Sequence, residues 1–353
     1  MPNYISHGQI VLYADDTALF YASKSVADIN RALNADLCNI EKWLDANRLT
    51  LNVRKCKSML FGTIRRLRLE TEELNLTLSG TYLEVVACFK YLGVWFDSCL
   101  TWSIHINKLC STVSSRLGVL RRLVPILPPK TLSMLFNCMI LPKIDYCDTV
   151  WGNCGKSLSD NLQKLQNRAA RLVLGLSRRS HVDNDHLSTL GWKSLASRRK
   201  MHLLQTVFKS IHRQLPEYLQ IFNRTSHTYA TRLNSNLSLQ LPKVRLESGR
   251  RKFEYRGAFS WNELPPTVKV ASSALSFKKL LRNGNHCWPL TSWPGTNFDQ
   301  WVTILIYVHL YIVSLVFLSF SLSYFFVMLL CVCCLYRAHL KSSTQSTECV
   351  HPV

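Results

Sequence analysis

Two adjacent carboxylates, Asp15 and Asp16, stand in the run IVLYADDTALFYAS close to the first methionine. Apolar residues at 10–13 and 18–21 flank them, so the local pattern reads strand, tight turn, strand. This places the acids at the tip of a β-hairpin, where paired carboxylates can offer hard oxygen ligands to a divalent cation. Taken alone, an acidic pair in a turn is more simply an ordinary polar hairpin tip, since Asp satisfies turn backbone with its own side chain.

The elements that must hold this tip follow at once. Ser25 to Asp28 reads S-x-x-D, a helix start, and Ile29, Leu33, Leu37, Ile40, Trp43 and Leu44 then recur at helical spacing as far as Asn47. LTLNV (49–53) and KSMLF (57–61) read as strands separated by Arg54, Lys55 and Cys56, and further strands are expected at 81–86 and 90–96. The first hundred residues are therefore α+β, a sheet with a helix on one face. From Trp102 the period changes: Ile106, Leu109, Val113, Leu117 and Leu120 mark a long helix ended by prolines at 125, 128 and 129. Helices are also expected over 130–141, 158–174 and 193–211, and the text past 220 reads as loop-rich.

Composition narrows the partner. Forty-three Lys and Arg against 22 Asp and Glu give a net charge of +21, which favours a polyanion, either nucleic acid or an anionic membrane face. The surplus is concentrated on the helical stretch and its connectors, at Arg168, Arg171, Arg178, Arg179, Arg198, Arg199 and Lys200, and in the later run Arg250, Arg251, Lys252. Such residues could equally be solvated helix faces. Trp192, Phe253, Tyr255 and Trp261 could stack on unpaired bases beside Arg250, Arg251 and Arg256, or fill the core. The 13 cysteines are scattered without paired CxxC knuckles, which reads as free thiols in a reducing compartment rather than a zinc site. Residues 301–336 contain no Lys, Arg, Asp or Glu, and as a hydrophobic helix would be long enough to cross a bilayer.

The motifs continue beyond the acidic pair. After Tyr13-Ala14-Asp15-Asp16 come LTLNVRKCKSMLFG, FKYLGVWFD, LTWSIHINKL, MILPKIDYCDTVWGN, LQNRAARLVLG, RRKMHLLQTVFKSIH and FSWNELPPTV. In this order they resemble the reverse transcriptases of non-LTR, LINE-type, jockey-like retrotransposons over roughly residues 10 to 282. The resemblance implies a partial polymerase palm over 1–97, a helical thumb and basic C-terminal region over 98–282, a linker over 283–300, the hydrophobic segment over 301–336 and a tail over 337–353. It also implies RNA-directed DNA polymerase chemistry: two Mg²⁺ or Mn²⁺ ions activating a primer 3′-hydroxyl and stabilising the departing pyrophosphate. Asp15 and Asp16 would be catalytic metal ligands, with Tyr13 and Ala14 beneath the primer terminus. Lys55 would act as the general acid to pyrophosphate, an assignment it shares with Lys57. Phe89, Lys90, Tyr91, Leu92 and Gly93 would form the primer grip, and the basic residues named above would contact phosphates.

The expected partners are then an RNA template, a DNA primer and deoxynucleotides, in the cytoplasm or nucleus. Polymerases of this kind take another metal-binding aspartate from an earlier strand, and only MPNYISHGQIVL precedes the YADD run. Asp28, Asp36 and Asp45 fall on the following helix, so the chain is expected to be a C-terminal fragment, inactive alone. The 301–336 segment is expected to be a membrane anchor, acylated near Cys331, Cys333 and Cys334, or translated flanking sequence. Two other readings share the sequence: an RNA-binding protein without catalysis, and a membrane-anchored protein descended from a transposon.

Overall fold

The computed structural model describes residues 2–14, 16–224, 237–283, 325–332 and 336–337. They form two units, one comprising Met1–Leu60, Glu70–Val86 and the described residues from Phe326 on, the other Phe61–Leu69 and the described residues of Ala87–Phe325.

In the first unit the acidic hairpin forms as its alternation requires. Strand β1 (Gln9–Tyr13) pairs antiparallel with β2 (Asp16–Ser23), in a register that sets Gln9 opposite Phe20 and Tyr13 opposite Asp16. Two residues therefore connect the strands, and Ala14 takes a positive φ of 51°, the conformation that two-residue hairpin turns demand. Helix α1 (Val26–Ala46) starts where Ser25 accepts hydrogen bonds from the backbone N–H of Ala27 at 3.1 Å and Asp28 at 3.4 Å. Val26, Ile29, Leu33, Leu37, Ile40 and Leu44 line its buried stripe, which packs on β2, where Ala18, Leu19 and Phe20 are buried in turn.

The sheet is built on β4 (Lys57–Phe61) and β7 (Glu84–Val85), which run parallel. Short strands β3 (Leu49–Thr50), β5 (Thr77–Leu78) and β6 (Thr81–Tyr82) flank it, the last two as an antiparallel pair. The LTLNV run thus contributes only two residues of strand and then tightens into a 3₁₀ turn at Val53–Lys55. Strand β10 (Phe325–Val332) lies between β2 and β4, giving the order β1-β2-β10-β4-β7, and β11 (Tyr336–Arg337) pairs antiparallel with β3. This corrects the expected hydrophobic helix over 301–336 where the segment is described. FFVMLLCV is a short, continuously apolar run, which suits a central strand with both faces covered, and Val327 and Met328 are fully buried there. Residues 284–324, 333–335 and the tail from 338 lie outside the described residues, and among the described residues no helix is long and apolar enough to cross a membrane.

The second unit is mostly helical. After α2 (Ile64–Leu69), strands β8 (Cys88–Tyr91) and β9 (Val94–Asp97) make a hairpin rather than one strand across 90–96, because Leu92 and Gly93 turn the chain with φ of 44° and 86°. Asp97 closes it: its carboxylate accepts the backbone N–H groups of Cys99, Thr101 and Trp102 at 3.2, 2.9 and 2.8 Å and so sets the entry to α3 (Ser103–Leu123). The buried Ile106, Leu109, Val113, Leu117 and Leu120 of α3 pack on the helix at Lys156–Leu174. Between them α4 (Pro129–Leu135) and α5 (Leu141–Asp145) are joined by a π turn at Phe136–Ile140, just ahead of Pro142, which has no N–H to continue a regular ladder. Short α6 (Asp148–Trp151) precedes α7 (Lys156–Leu174), which ends on Gly175 at φ 66°.

Next come α8 (Asn184–Thr189) and α9 (Leu195–Ile211). Gln163 of α7 accepts the Leu195 N–H at 3.0 Å, and Gln166 donates to the Lys193 carbonyl at 2.8 Å, so α7 fixes where α9 begins. The described residues at 247–283 hold more helix than their Pro and Gly content suggested. They contain α10 (Glu247–Arg250), α11 (Phe253–Asn262), α12 (Pro266–Lys269) and α13 (Ala274–Asn283). Phe208 of α9 stacks on Phe277 at 4.5 Å, and Trp261 stacks on the same ring at 5.6 Å, so the aromatic residues, not the punctuation, decide the fold there.

Candidate nucleic-acid interface

The acidic hairpin is anchored from behind by Asp36, a fully buried carboxylate on α1. It accepts the backbone N–H of Ser6 at 2.8 Å, of His7 at 3.2 Å through either oxygen, and of Gly8 at 2.6 Å, and thereby fastens the chain that enters β1. A side chain at position 8 would meet Leu19 at 2.9 Å and Asp36 at 3.1 Å, so glycine lets this loop close on the carboxylate. Asp16 opens β2 opposite Tyr13 and is partly buried; Asp15 lies outside the described residues. Carboxylates at this tip are the donor chemistry that Mg²⁺ or Mn²⁺ takes.

The same unit holds an open groove of about 1050 Å³ walled by residues 50–57 with Thr81, Tyr82 and Glu84. Lys55 is an exposed member of this groove, at the end of the 3₁₀ turn. Lys57 is different, because its ammonium is hydrogen-bonded to Glu84 across the β4–β7 pair.

In the helical unit, Phe89, Lys90, Tyr91, Leu92 and Gly93 do form a hairpin tip. The group close to Gly93 there is the Tyr146 ring, whose atoms would lie 3.0–3.4 Å from an added Cβ, and the Tyr146 hydroxyl donates to the Leu92 carbonyl at 2.7 Å. Tyr91 is buried, while Lys90 is exposed.

The predicted phosphate-contacting residues separate into two groups. Arg168, Arg178 and Arg179 are exposed, and Arg171 donates to the Ser180 carbonyl at 2.7 Å, bracing the loop that carries Arg178 and Arg179. Arg198, Arg199 and Lys200 on α9 and Arg250 ahead of α11 converge instead around a buried polar cluster. Arg198 grips both oxygens of Asp145, with the two side chains only 15% and 21% exposed. Arg199 lies over the Trp151 ring, 5.7 Å from its centroid, and hydrogen-bonds Ser159; Lys200 pairs with Glu263 at 2.7 Å. Arg251 is exposed, and its carbonyl accepts from Arg256 and Asn153. Partial burial lowers the pKa of Lys252.

At the centre stands Asp148, 1% exposed, whose Oδ2 is 2.6 Å from His202 Nδ1. Burial would push the His202 imidazole down, but the Asp148 carboxylate and its hydrogen bond outweigh this and the pKa is raised, so the pair favours imidazolium. Burial likewise raises Asp148, with His202 opposing. Arg256 donates to the Thr149 carbonyl at 3.0 Å, and burial brings its pKa down to about 10 while Asp148 opposes the fall. Asp145, Asp148 and His202 present ligand atoms within 4.8 Å of one another, a spacing a metal ion could use. Arg198 and the His202 imidazolium already pair with both carboxylates there, so a metal would have to displace Arg198 from Asp145 and the proton from His202.

No sequence signal singled out Asp148, His202 or Arg256 as a cluster. They are 54 and 108 positions apart along the chain and meet only when α6, α9 and α11 pack. MILPKIDYCDTVWGN and RRKMHLLQ carried the information, as motifs without a stated role. Of the aromatic residues considered for base stacking, Trp192, Phe253 and Trp261 are core and Tyr255 is only partly covered.

Comparison with known proteins agrees with the family resemblance. The chain is similar to RNA-directed DNA polymerases of mobile elements. It is 24% identical over 185 residues to the "RNA-directed DNA polymerase from mobile element jockey" of Drosophila funebris, covering 50% of this chain and 20% of that protein. It is 30% identical over 168 residues to the "Probable RNA-directed DNA polymerase from transposon BS" of Drosophila melanogaster, covering 46% and 18%. The jockey protein of Drosophila melanogaster is 26% identical over 172 residues, covering 47% and 18%. The matched part thus spans about a fifth of the length of these relatives. No family model matches the chain, and no solved structure matches it significantly.

Proposed function

We propose that this chain is the later palm and helical part of a mobile-element reverse transcriptase. Its acidic hairpin contributes metal ligands, and its helical unit holds the RNA template and DNA primer. The observation that carries the reading is the YADD run on a two-residue hairpin, with Tyr13 opposite Asp16, in a chain similar to jockey-type polymerases. Bound divalent cations would supply charge to activate the primer 3′-hydroxyl and neutralise pyrophosphate. What the chain itself does is hold Asp16 at a hairpin whose entry is fastened by Asp36, set Lys55 in an open groove where it would give a proton to the leaving group, and spread cations over the helices, with Asp15 the second expected metal ligand. Deoxynucleotides are the corresponding substrates.

The test is a Mn²⁺ titration of the purified chain, followed by the free-ion electron paramagnetic resonance signal. Saturable binding that disappears in the Asp15→Asn, Asp16→Asn double variant supports the reading. An identical titration for both proteins would remove the hairpin from the metal site.

A further inference from the structure

A cavity of about 390 Å³ opens in the helical unit between α6, α9 and α11, within the size range of small-ligand sites. Its polar lining has two signs. Asp148 Oδ1 is buried and has no hydrogen-bond partner among the described residues, and the same is true of Arg199 Nη1 and Thr149 Oγ1. Leaving a buried acceptor and a buried donor unpaired is costly, so their presence on one cavity wall needs a reason. Gly152 contributes to the shape: a Cβ there would fall 2.3 Å from the Asp148 carbonyl oxygen and 3.2 Å from Arg199 Cδ. The mouth carries Tyr255 and Phe259, their rings 6.2 Å apart and within 10° of parallel, with Phe259 47% exposed. Arg250, also exposed, lies on the same rim.

A metal ion would face Arg199 and Arg256, and a free phosphate, though drawn by Arg199, Lys200, Arg250 and Arg256, would leave the Asp148 Oδ1 acceptor without a donor. What fits is a flat group with donor and acceptor side by side on one edge, able to lie against an aromatic ring while an attached anion reaches the rim. We infer that this cavity receives a single unpaired guanine base of a bound RNA strand. Its N1–H and N2–H groups would donate to Asp148 Oδ1, its O6 would accept from Arg199, its face would lie against Phe259, and its phosphate would meet Arg250. Guanine is favoured over the other bases because it presents two adjacent N–H donors to an anionic oxygen beside a carbonyl acceptor. This rests on the nucleic-acid reading of the helical unit, and goes beyond it by assigning a base to a pocket.

The experiment is fluorescence anisotropy of the full-length protein with labelled single-stranded U-rich RNA dodecamers carrying one central guanosine, one central adenosine or one abasic site. The expected result is about five- to tenfold tighter binding of the guanosine strand than of the abasic strand, the lower end of what one stacked base contributes. That gain should vanish in Phe259→Ala, an exposed position whose loss leaves the core intact, and in Arg199→Lys, which keeps the charge but not the planar fork. Unlabelled guanosine should compete for the gain and inorganic phosphate should not. Equal, salt-sensitive binding of all three strands would overturn the pocket while leaving the nucleic-acid reading standing. Failure of every strand to bind would overturn both. Competition by phosphate alone would make it an anion site and overturn the guanine assignment.

Discussion

Replacing Asp36 with Asn changes one atom and should loosen the base of the acidic hairpin. The carboxylate accepts four contacts from three backbone N–H groups, the shortest being 2.6 Å to Gly8 and 2.8 Å to Ser6, one on each oxygen. An amide can keep only one of those oxygens, so either orientation sets an N–H against an N–H and loses a short charge-assisted bond. A hydrogen bond to a charged group contributes about 1.5–3 kcal/mol, and the orphaned donor adds to the loss, so a local destabilisation of about 2–3 kcal/mol is expected. At about 1.4 kcal/mol per factor of ten, amide hydrogen exchange at Ser6–Gly8 and along β1 should accelerate roughly 30- to 150-fold. Exchange on α3 and α7 in the other unit should not change, which separates local release from global unfolding. Unaltered protection of residues 6–13 would refute the account of how the hairpin is anchored.

Other outcomes follow from the helical unit. Asp145→Ala leaves Arg198 without its partner in a mostly buried site and should cost about 3 kcal/mol in urea unfolding, more than an exposed ion pair would. Gly93→Ala forces a side chain at φ 86° against the Tyr146 ring and should lower stability by about 1–2 kcal/mol, with Tyr146→Phe losing only about 1 kcal/mol. His202 has a folded pKa above its ordinary 6.5, so its pairing with Asp148 stabilises fully below that value and is lost as pH rises through the raised one. Melting temperature should therefore fall as pH rises above about 6.5 in the wild type, and that fall should be absent in His202→Gln. Asp183, which caps α8 and accepts from His186, has its pKa lowered to about 2; NMR titration should show its carboxylate ionised through pH 3, and Ala at position 186 should move it upward.

What was legible in the sequence was what periodicity and turn chemistry encode locally. The hairpin of β1 and β2, the Ser25-capped α1 and the stripes of α3, α7 and α9 follow from alternation, capping and three-to-four-residue spacing. Two failures have physical causes. FFVMLLCV is apolar throughout, which carries no period, so a buried strand and a hydrophobic helix look alike until pairing partners are known. Residues 247–283 are punctuated by Gly, Pro and Ser, yet Trp261 and Phe277 close on Phe208 and draw short helices around them. For the site, exposed basic residues could be named from charge, but which of them turn inward could not. Arg198 and Arg199 are neighbours, one clamping Asp145 and the other lying over Trp151, because successive helix positions point 100° apart.

The central claim, that the cationic helical unit holds a polynucleotide, is tested most directly by the salt dependence of single-stranded RNA binding, measured for the wild type and for an Arg168→Ala, Arg178→Ala, Arg179→Ala triple variant. Wild-type affinity should fall linearly in log–log form with salt, and losing three exposed phosphate contacts should reduce the slope by about 2. Binding with no salt dependence, or a slope unchanged in the variant, would contradict it.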